Sequence, residues 1–97
     1  MDEALVRKHA QEHSGAIIEG DLRRAGADLT PEAQKQAPAV MKRLPRPVTS
    51  ADIAAVAMSG GRAVARVRYG GEGAETVVES TWEERDGRPM IVELNVV

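Results

Sequence analysis

The chain has 97 residues, with 13 basic and 15 acidic side chains, a formal net charge of −2 and no cysteine. The two signs of charge are interspersed, which argues against a nucleic-acid-binding face, and the missing cysteine excludes a disulfide or a thiolate metal site. No apolar run approaches the ~20 residues that span a bilayer, and the charged start MDEALVRKHAQEH lacks the apolar centre of a signal peptide. We therefore expect one cytoplasmic domain over residues 1–97, without nucleic-acid or membrane partners.

The core must be built mainly from aliphatic side chains, because the chain has one Trp, one Tyr and no Phe. Many of the apolar residues are alanines, whose side chains fill little volume. Helices and strands must therefore approach closely or leave a cavity between them. A domain of this size buries only roughly 60–70% of the surface of its unfolded chain, so oligomerisation could supply buried area that one chain lacks.

Residues 3–25 are predicted to form the first helical segment. At about 100° per residue, one broad arc of this helix carries most of its apolar side chains together with both histidines. Because glycine weakens a helix, we expect a bend or break near Gly20-Asp21 and an end at Gly26. The arc consists of Leu5, Val6, His9, Ala10, His13, Ala16, Ile17 and Gly20.

A second helical segment begins at the sequence TPE, residues 30–32. It offers a hydroxyl cap, a proline where the missing N–H costs nothing, and an acid near the positive end of the helix. Pro38 lies too far inside to be neutral, so the segment forms either two short pieces or one kinked helix. The sequence LPRP at 44–47 then favours an extended connection, which ends the helical part at residue 47.

From residue 48 onward, apolar and polar side chains alternate, which indicates strands. Glycine-containing separators divide this part into four segments, and glycine takes the positive φ that tight hairpin turns need. The sequence therefore predicts an α+β fold, in which N-terminal helices (1–47) pack on a curved four-stranded antiparallel meander (48–97). The predicted strands are 50–59, 62–69, 74–85 and 89–97, separated by Gly60-Gly61, Gly70-Gly71-Glu72-Gly73 and Asp86-Gly87.

Turns centred on these glycines also predict which side chains share a face of the sheet. The continuous apolar face, which carries both aromatic residues, is assigned to the helices. A slip of one residue would bring Glu79 to that face in place of Glu93. In the first strand, Ala54 is predicted to face the helices and Ile53 the opposite side. The predicted pairs are Met58 with Ala63, Val56 with Ala65, Tyr69 with Ala74, Val67 with Thr76, Trp82 with Ile91, Ser80 with Glu93 and Val78 with Asn95.

The opposite face combines cross-strand charges with an apolar strip. Arg66 and Arg68 are expected near Glu75 and Glu79. The strip on an otherwise solvated face suggests a homodimer with a two-fold contact, a hypothesis that sedimentation velocity tests. Its residues are Met90, Val92, Leu94 and Val96.

Two segments resemble signatures of the nuclear transport factor 2-like superfamily. The sequence HSGAIIEGDL at 13–22 is similar to that family's first helix, in which an apolar stretch reaches a Gly-Asp pair and then turns. The sequence TWEERDGRPMIV at 81–92 is similar to its last hairpin, where a tryptophan precedes an Asp-Gly turn and an Ile-Val strand. The order of helices and strands agrees, so the resemblance covers nearly the whole chain.

The resemblance implies a cone-shaped, cystatin-like domain, in which a curved sheet wraps around a long helix and often leaves a cavity. Relatives include ketosteroid isomerases, dehydratases, epoxide hydrolases and polyketide cyclases, and also many non-catalytic proteins, with dimers common. This chain is shorter than a typical member, and Pro89 stands where a second aromatic residue is often found. The arrangement of one tyrosine with two aspartates that the ketosteroid isomerases use is not evident in this sequence. The resemblance therefore does not imply isomerase activity for this chain.

His9 and His13 are the most informative candidates for a site, because they lie one helical turn apart in the middle of the apolar arc. An unpaired buried polar group costs ~1–3 kcal/mol. One interpretation therefore places one histidine at the rim and bonds the other to a sheet side chain or a water. The alternative makes one of them a general acid or base in a pocket. Neither an HExxH pattern nor a third ligand accompanies the pair, so we predict no metal and no cofactor.

Glu93 and Asn95 alternate along the last strand, on the face predicted to carry Trp82. Glu93 could exchange a proton with a histidine across a cavity, or both side chains could reach solvent beyond the end of the helix. Tyr69, Ser80, Trp82 and Asn95 are the candidate ligand-pocket residues.

Two functional hypotheses follow from this sequence. The preferred one is a non-catalytic dimeric module whose small apolar cavity is filled by side chains or binds a small apolar ligand. The alternative is a small-molecule lyase, isomerase or hydrolase, in which His13 or His9 and Glu93 form the proton-transfer pair. The contents of the space between helices and sheet distinguish the two.

Overall fold

The computed structural model describes all 97 residues, Met1–Val97. Three helices are followed by four strands that form one antiparallel sheet with neighbours in chain order, which confirms the predicted α+β class and the meander. No helix combines the length and the hydropathy that crossing a bilayer requires. The elements are α1 (Glu3–Glu19), α2 (Leu22–Gly26), α3 (Pro31–Arg43), β1 (Ser50–Ser59), β2 (Arg62–Gly71), β3 (Ala74–Arg85) and β4 (Arg88–Val96).

The helix ends follow local capping chemistry. The Asp2 carboxylate accepts a hydrogen bond from the backbone N–H of Leu5 at 2.8 Å and starts α1. Gly20 ends α1 with a φ of 75°, a left-handed conformation that glycine adopts without strain. Asp21 then caps α2 by accepting from the N–H of Arg24 at 3.1 Å. The predicted break at Gly20-Asp21 is confirmed.

The third helix begins where the capping pattern predicts, with Thr30 as N-cap and Pro31 as its first residue. Pro38 lies inside α3, which runs on to Arg43 as one helix and not as two short pieces. The Pro38 ring is exposed, so it does not disturb the buried side of the helix. Val40 and Ala33 occupy that buried side.

The three hairpin turns lie at the predicted glycine-containing separators. In Asp86-Gly87 the φ angles are 53° and 82°, and in Glu72-Gly73 they are 51° and 77°, as type I′ turns require. Next to the first turn, β1 pairs with β2 as predicted, with Met58 opposite Ala63. The second turn is tighter than predicted, so Tyr69 lies opposite Thr76 and not Ala74. A shift of two residues leaves every side chain on its predicted face.

A bulge in β4 overturns part of the predicted register. Trp82 lies opposite Ile91 as predicted, but the next pair is Thr81 with Glu93, so Val92 is an extra residue in β4. Ser80 therefore faces Leu94 instead of Glu93, and Val78 faces Val96 instead of Asn95. The predicted inward positions of Glu93 and Asn95 are wrong. The bulge lets two aliphatic side chains pack on the core while the carboxylate and the amide reach solvent.

A second irregularity, in β1, corrects another assignment. Ile53 lies opposite Val67 and the next pair is Ala55 with Arg66, so Ala54 is the extra residue. Ile53 packs against the core and Ala54 is exposed, the reverse of the prediction.

Two adjoining clusters of buried side chains make up the core between the helices and the sheet. The larger surrounds Trp82, which is 0% exposed, and contains several alanines whose small side chains let the elements approach closely. The predicted helix-facing side of Trp82 is therefore confirmed. The clusters are Val6, Ala10, Leu29, Ala33, Ala63, Ala65, Trp82 and Ile91, and Val40, Val67, Tyr69 and Val78.

Ion pairs cover much of the opposite face of the sheet. As predicted, Arg66 contacts Glu79 at 2.8 Å and Arg68 contacts Glu75 at 3.5 Å. The proposed dimer strip loses two of its residues, Leu94 and Val96, because the β4 bulge turns them toward the helices. Met90 and Val92 are the residues of the strip that remain half-buried outside the two core clusters, so the apolar basis for a dimer contact is smaller than the sequence indicates.

Candidate functional site

A cavity of about 110 Å³ lies between the helices and the sheet. Each of the three helices contributes apolar side chains to its wall, and β2, β3 and β4 supply the opposite side. Alanines on the helices and valines on the strands leave this space because neither fills the gap between the layers. The wall is formed chiefly by Ala10, His13, Ile17, Leu22, Ala25, Leu29, Ala37, Val40, Met41, Leu44, Val67, Tyr69, Val78, Ser80, Trp82 and Leu94.

The cavity reaches the surface beside α2 and the end of α3. Leu22 and Met41 line it and are 51% and 37% exposed. Small-molecule sites are usually concave and lined mainly by apolar side chains. These two residues therefore mark an apolar entrance.

The polar side chains in the sheet wall are already hydrogen-bonded. The Nε1–H of Trp82 donates to Oγ of Ser80 at 2.9 Å, and this hydroxyl donates to the backbone oxygen of Ala65 at 3.5 Å. The hydroxyl of Tyr69 donates to Oγ of Ser14 at 3.5 Å. Burial raises the pKa of Tyr69 above its usual value, so this side chain remains a neutral phenol at neutral pH.

His13 is paired with a carboxylate that comes from the loop between α2 and α3. Its Nδ1 is 3.0 Å from Oδ2 of Asp28, and the other carboxylate oxygen of Asp28 accepts from the guanidinium of Arg88. The side chains of His13 and Asp28 are only 11% and 15% exposed. The His13 ring also meets the edge of Trp82, with ring centroids 6.3 Å apart.

Asp28 holds its position because its segment lies beside β4. The backbone N–H of Ile91 donates to the carbonyl oxygen of Asp28 at 2.7 Å, and the N–H of Thr30 donates to that of Ile91 at 2.9 Å. Leu29 forms a parallel bridge with Ile91 and packs in the core. These contacts bring a loop carboxylate to the histidine of α1.

The sequence offered little that would identify Asp28. An aspartate after a short helix is usual in a turn, so its position does not indicate a site residue. The available signal is that Leu29, an apolar residue, stands between Asp28 and the helix cap Thr30, which indicates a loop that packs inward.

Of the two histidines, only His13 lines the cavity. His9 lies one turn earlier and is half-buried, with its ring centroid 6.4 Å from that of Trp82. His9 therefore packs in the same core without bordering the cavity.

The other predicted site residues also divide into those that line the cavity and those that do not. Tyr69, Ser80 and Trp82 line the cavity, whereas Asn95 and Glu93 are exposed and do not. The predicted pairing of a histidine with Glu93 is therefore wrong, and Asp28 is the carboxylate beside His13. Glu79, the alternative that a slipped register would bring inward, is bonded to Arg66 on the opposite face.

No group of three or more His, Asp and Glu side chains is placed to hold a metal ion. The arrangement offers instead an apolar space with one imidazole in its wall. No protein-family model matches this sequence, and no curated protein matches it.

Proposed function

We propose that this chain is a small nuclear transport factor 2-like domain without catalytic activity that binds one small apolar molecule in the cavity between its helices and its sheet. The observation that carries the proposal is the cavity of about 110 Å³ with an apolar entrance at Leu22 and Met41. The order of helices and meander supports the family assignment, which otherwise stands on the two resembling segments.

The free energy of the protein favours a cavity filled by a bound molecule over an empty cavity. Protein interiors are close-packed, and an unfilled apolar cavity costs about 24 cal/mol per Å³. For a fully enclosed space of about 110 Å³ that cost would be roughly 2–3 kcal/mol, compared with the roughly 5–15 kcal/mol by which a domain is stable, and the entrance at Leu22 and Met41 makes this an upper value. A ligand of about one ring would recover part of it, since a cavity of roughly 150 Å³ accepts benzene.

Filling the cavity by mutation tests this proposal. We expect Ala37→Leu to weaken the binding of toluene at least about tenfold, because Ala37 lines the cavity and the larger side chain would occupy it. The unliganded variant should be about 0.5–2 kcal/mol more stable than wild type. NMR chemical shifts in a toluene titration and urea unfolding measure the two effects.

Ala39→Leu is the matched control, since Ala39 lies on the same helix but is exposed and outside the cavity. It should bind toluene as the wild type does. Equal binding by Ala37→Leu, or no saturable binding of small hydrocarbons by the wild-type protein, contradicts the proposal.

A second candidate is supported by the contact at 3.0 Å between His13, which lines the cavity, and Asp28. We propose as the alternative a lyase-, isomerase- or hydrolase-type enzyme in which His13 is the general base and Asp28 orients it. Nε2 of His13 would take a proton from carbon next to a carbonyl group, leaving the electron pair as an enolate, and the imidazolium would return the proton.

Deuterium uptake measures this step directly. In D₂O, the wild-type protein should exchange the α-protons of cyclopentanone, followed by ¹H NMR, about 10²–10⁴ times faster than the His13→Phe variant. His9→Phe should exchange like wild type, because His9 does not line the cavity. Equal rates for wild type and His13→Phe eliminate the enzyme candidate and leave the binding proposal intact.

A further inference from the structure

Asp28 determines which nitrogen of His13 carries the proton. Its carboxylate lies between Nδ1 of His13, at 3.0 Å, and the guanidinium of Arg88. An ionised carboxylate only accepts hydrogen bonds, so Nδ1 of His13 must be the donor. In the neutral imidazole, Nε2 then presents a lone pair.

That lone pair has no partner within the protein. The hydrogen bond of the His13 side chain is the one through Nδ1, whereas every side-chain nitrogen or oxygen that is fully buried has a partner. Nε2 must therefore remain accessible to a molecule of at least the size of water. His13 lines the cavity and only 11% of its side chain is exposed, so we take the cavity as the space that this unused hydrogen-bond acceptor faces.

The other polar groups of the wall have already donated their protons. Ser80 receives the indole N–H of Trp82 and donates to a backbone carbonyl. Tyr69 donates its hydroxyl proton to Ser14. The cavity therefore offers a ligand an acceptor at His13 while its remaining surface is mostly apolar, and a matching molecule has one hydrogen-bond donor on an apolar body.

We propose that the ligand of this cavity is a small neutral ring compound with a hydroxyl group, such as a phenol or a stable enol, whose O–H donates to Nε2 of His13. The ring would lie against the aliphatic wall that includes Val40, Val78 and Leu94. A carboxylate ligand is disfavoured because it has no proton to donate to Nε2 and would bring a charge into an apolar space. This inference rests on the proposed binding function and specifies the chemical class of the ligand.

A comparison of three ligands of similar size tests the inference. Wild-type protein should bind phenol about fivefold to tenfold more tightly than toluene or anisole, which corresponds to one net hydrogen bond. Anisole keeps the oxygen but has no proton to donate. Affinities are measured by NMR titration of the intact chain at neutral pH.

Three variants locate the acceptor. His13→Phe should bind all three ligands equally, because it keeps an aromatic ring but has no lone pair. Asp28→Asn should reduce the preference for phenol, because an amide can donate to Nδ1 as well as accept from it and so no longer holds one tautomer. His9→Phe should keep the full preference, since His9 does not line the cavity.

The outcomes distinguish a failure of the hydroxyl-ligand inference from a failure of the proposed binding function. Equal affinities of wild type for phenol, toluene and anisole overturn the hydroxyl inference while the cavity still binds ligands. A preference for phenol that survives in His13→Phe, or that is lost in His9→Phe, also overturns it. Failure of all three ligands to bind removes the proposed function itself. If His13→Phe does not fold, Asp28→Asn decides the question, and an unchanged phenol preference in that variant overturns the inference.

Discussion

Replacing Trp82 with alanine should lower the free energy of unfolding by about 3–5 kcal/mol, the usual cost of removing a large aromatic side chain from a core. Trp82 is the largest fully buried side chain and is 0% exposed. Few other residues could compensate, because this core has one Trp, one Tyr and no Phe, and alanines surround the indole on both layers. Its loss would also remove the ring that both histidines contact.

Urea unfolding followed by far-UV circular dichroism measures this effect, since Trp82 is the only tryptophan and fluorescence would be lost with it. Trp82→Phe is the matched variant: it keeps an aromatic ring but removes the donor to Ser80, so it should destabilise by clearly less than Trp82→Ala. Should Trp82→Ala be unfolded without denaturant, Trp82→Phe still supplies a measurable value. A loss below about 1 kcal/mol in Trp82→Ala would mean that the indole is not the centre of the core.

The second large effect is expected at Gly71, the last residue of β2. A Cβ atom at this position would lie 2.1 Å from the carbonyl oxygen of Pro47 and 3.2 Å from Cβ of Pro45. Both obstacles belong to the extended connection after α3, and a backbone carbonyl cannot rotate away as a side chain can. Gly71→Ala should therefore destabilise the protein by about 3 kcal/mol, at the upper end of the usual cost of overpacking.

Gly70→Ala is the control for this prediction. Its Cβ would meet Oγ of Ser50 at 2.7 Å, and that hydroxyl can move to another rotamer, so the expected cost is below about 1 kcal/mol. Thermal or urea unfolding of the two variants gives the comparison. Similar stabilities would show that residues 45–47 do not pack on the end of β2 as the structure places them.

The helix boundaries and the turns could be predicted from sequence because their causes are local. Asp2, Thr30 and Gly20 each act on backbone groups within a few residues. The glycines of the hairpins act through φ alone. Free energies of this kind depend on the residue types present at one point of the chain, so the order of elements and the fold class followed from them.

The position of Glu93 could not be predicted in that way. Its face depends on one extra residue, Val92, in β4, and nothing in the local sequence distinguishes a bulge from a regular strand there. What decides the register is whether Leu94 and Val96 or Glu93 and Asn95 pack against the helices, and that choice is favourable only when the helices are in place.

The contact between His13 and Asp28 shows the same limit. The residues are 15 positions apart, on α1 and on a loop, and the loop is held by β4 through Ile91. Sequence by itself determined that an imidazole of α1 would lie on the apolar side of that helix, because helical periodicity sets that face. Only the tertiary structure decided which carboxylate lies beside this imidazole and where the cavity opens. Both depend on how three separate segments pack together, and the packing energy between distant segments cannot be deduced from the local pattern of residues.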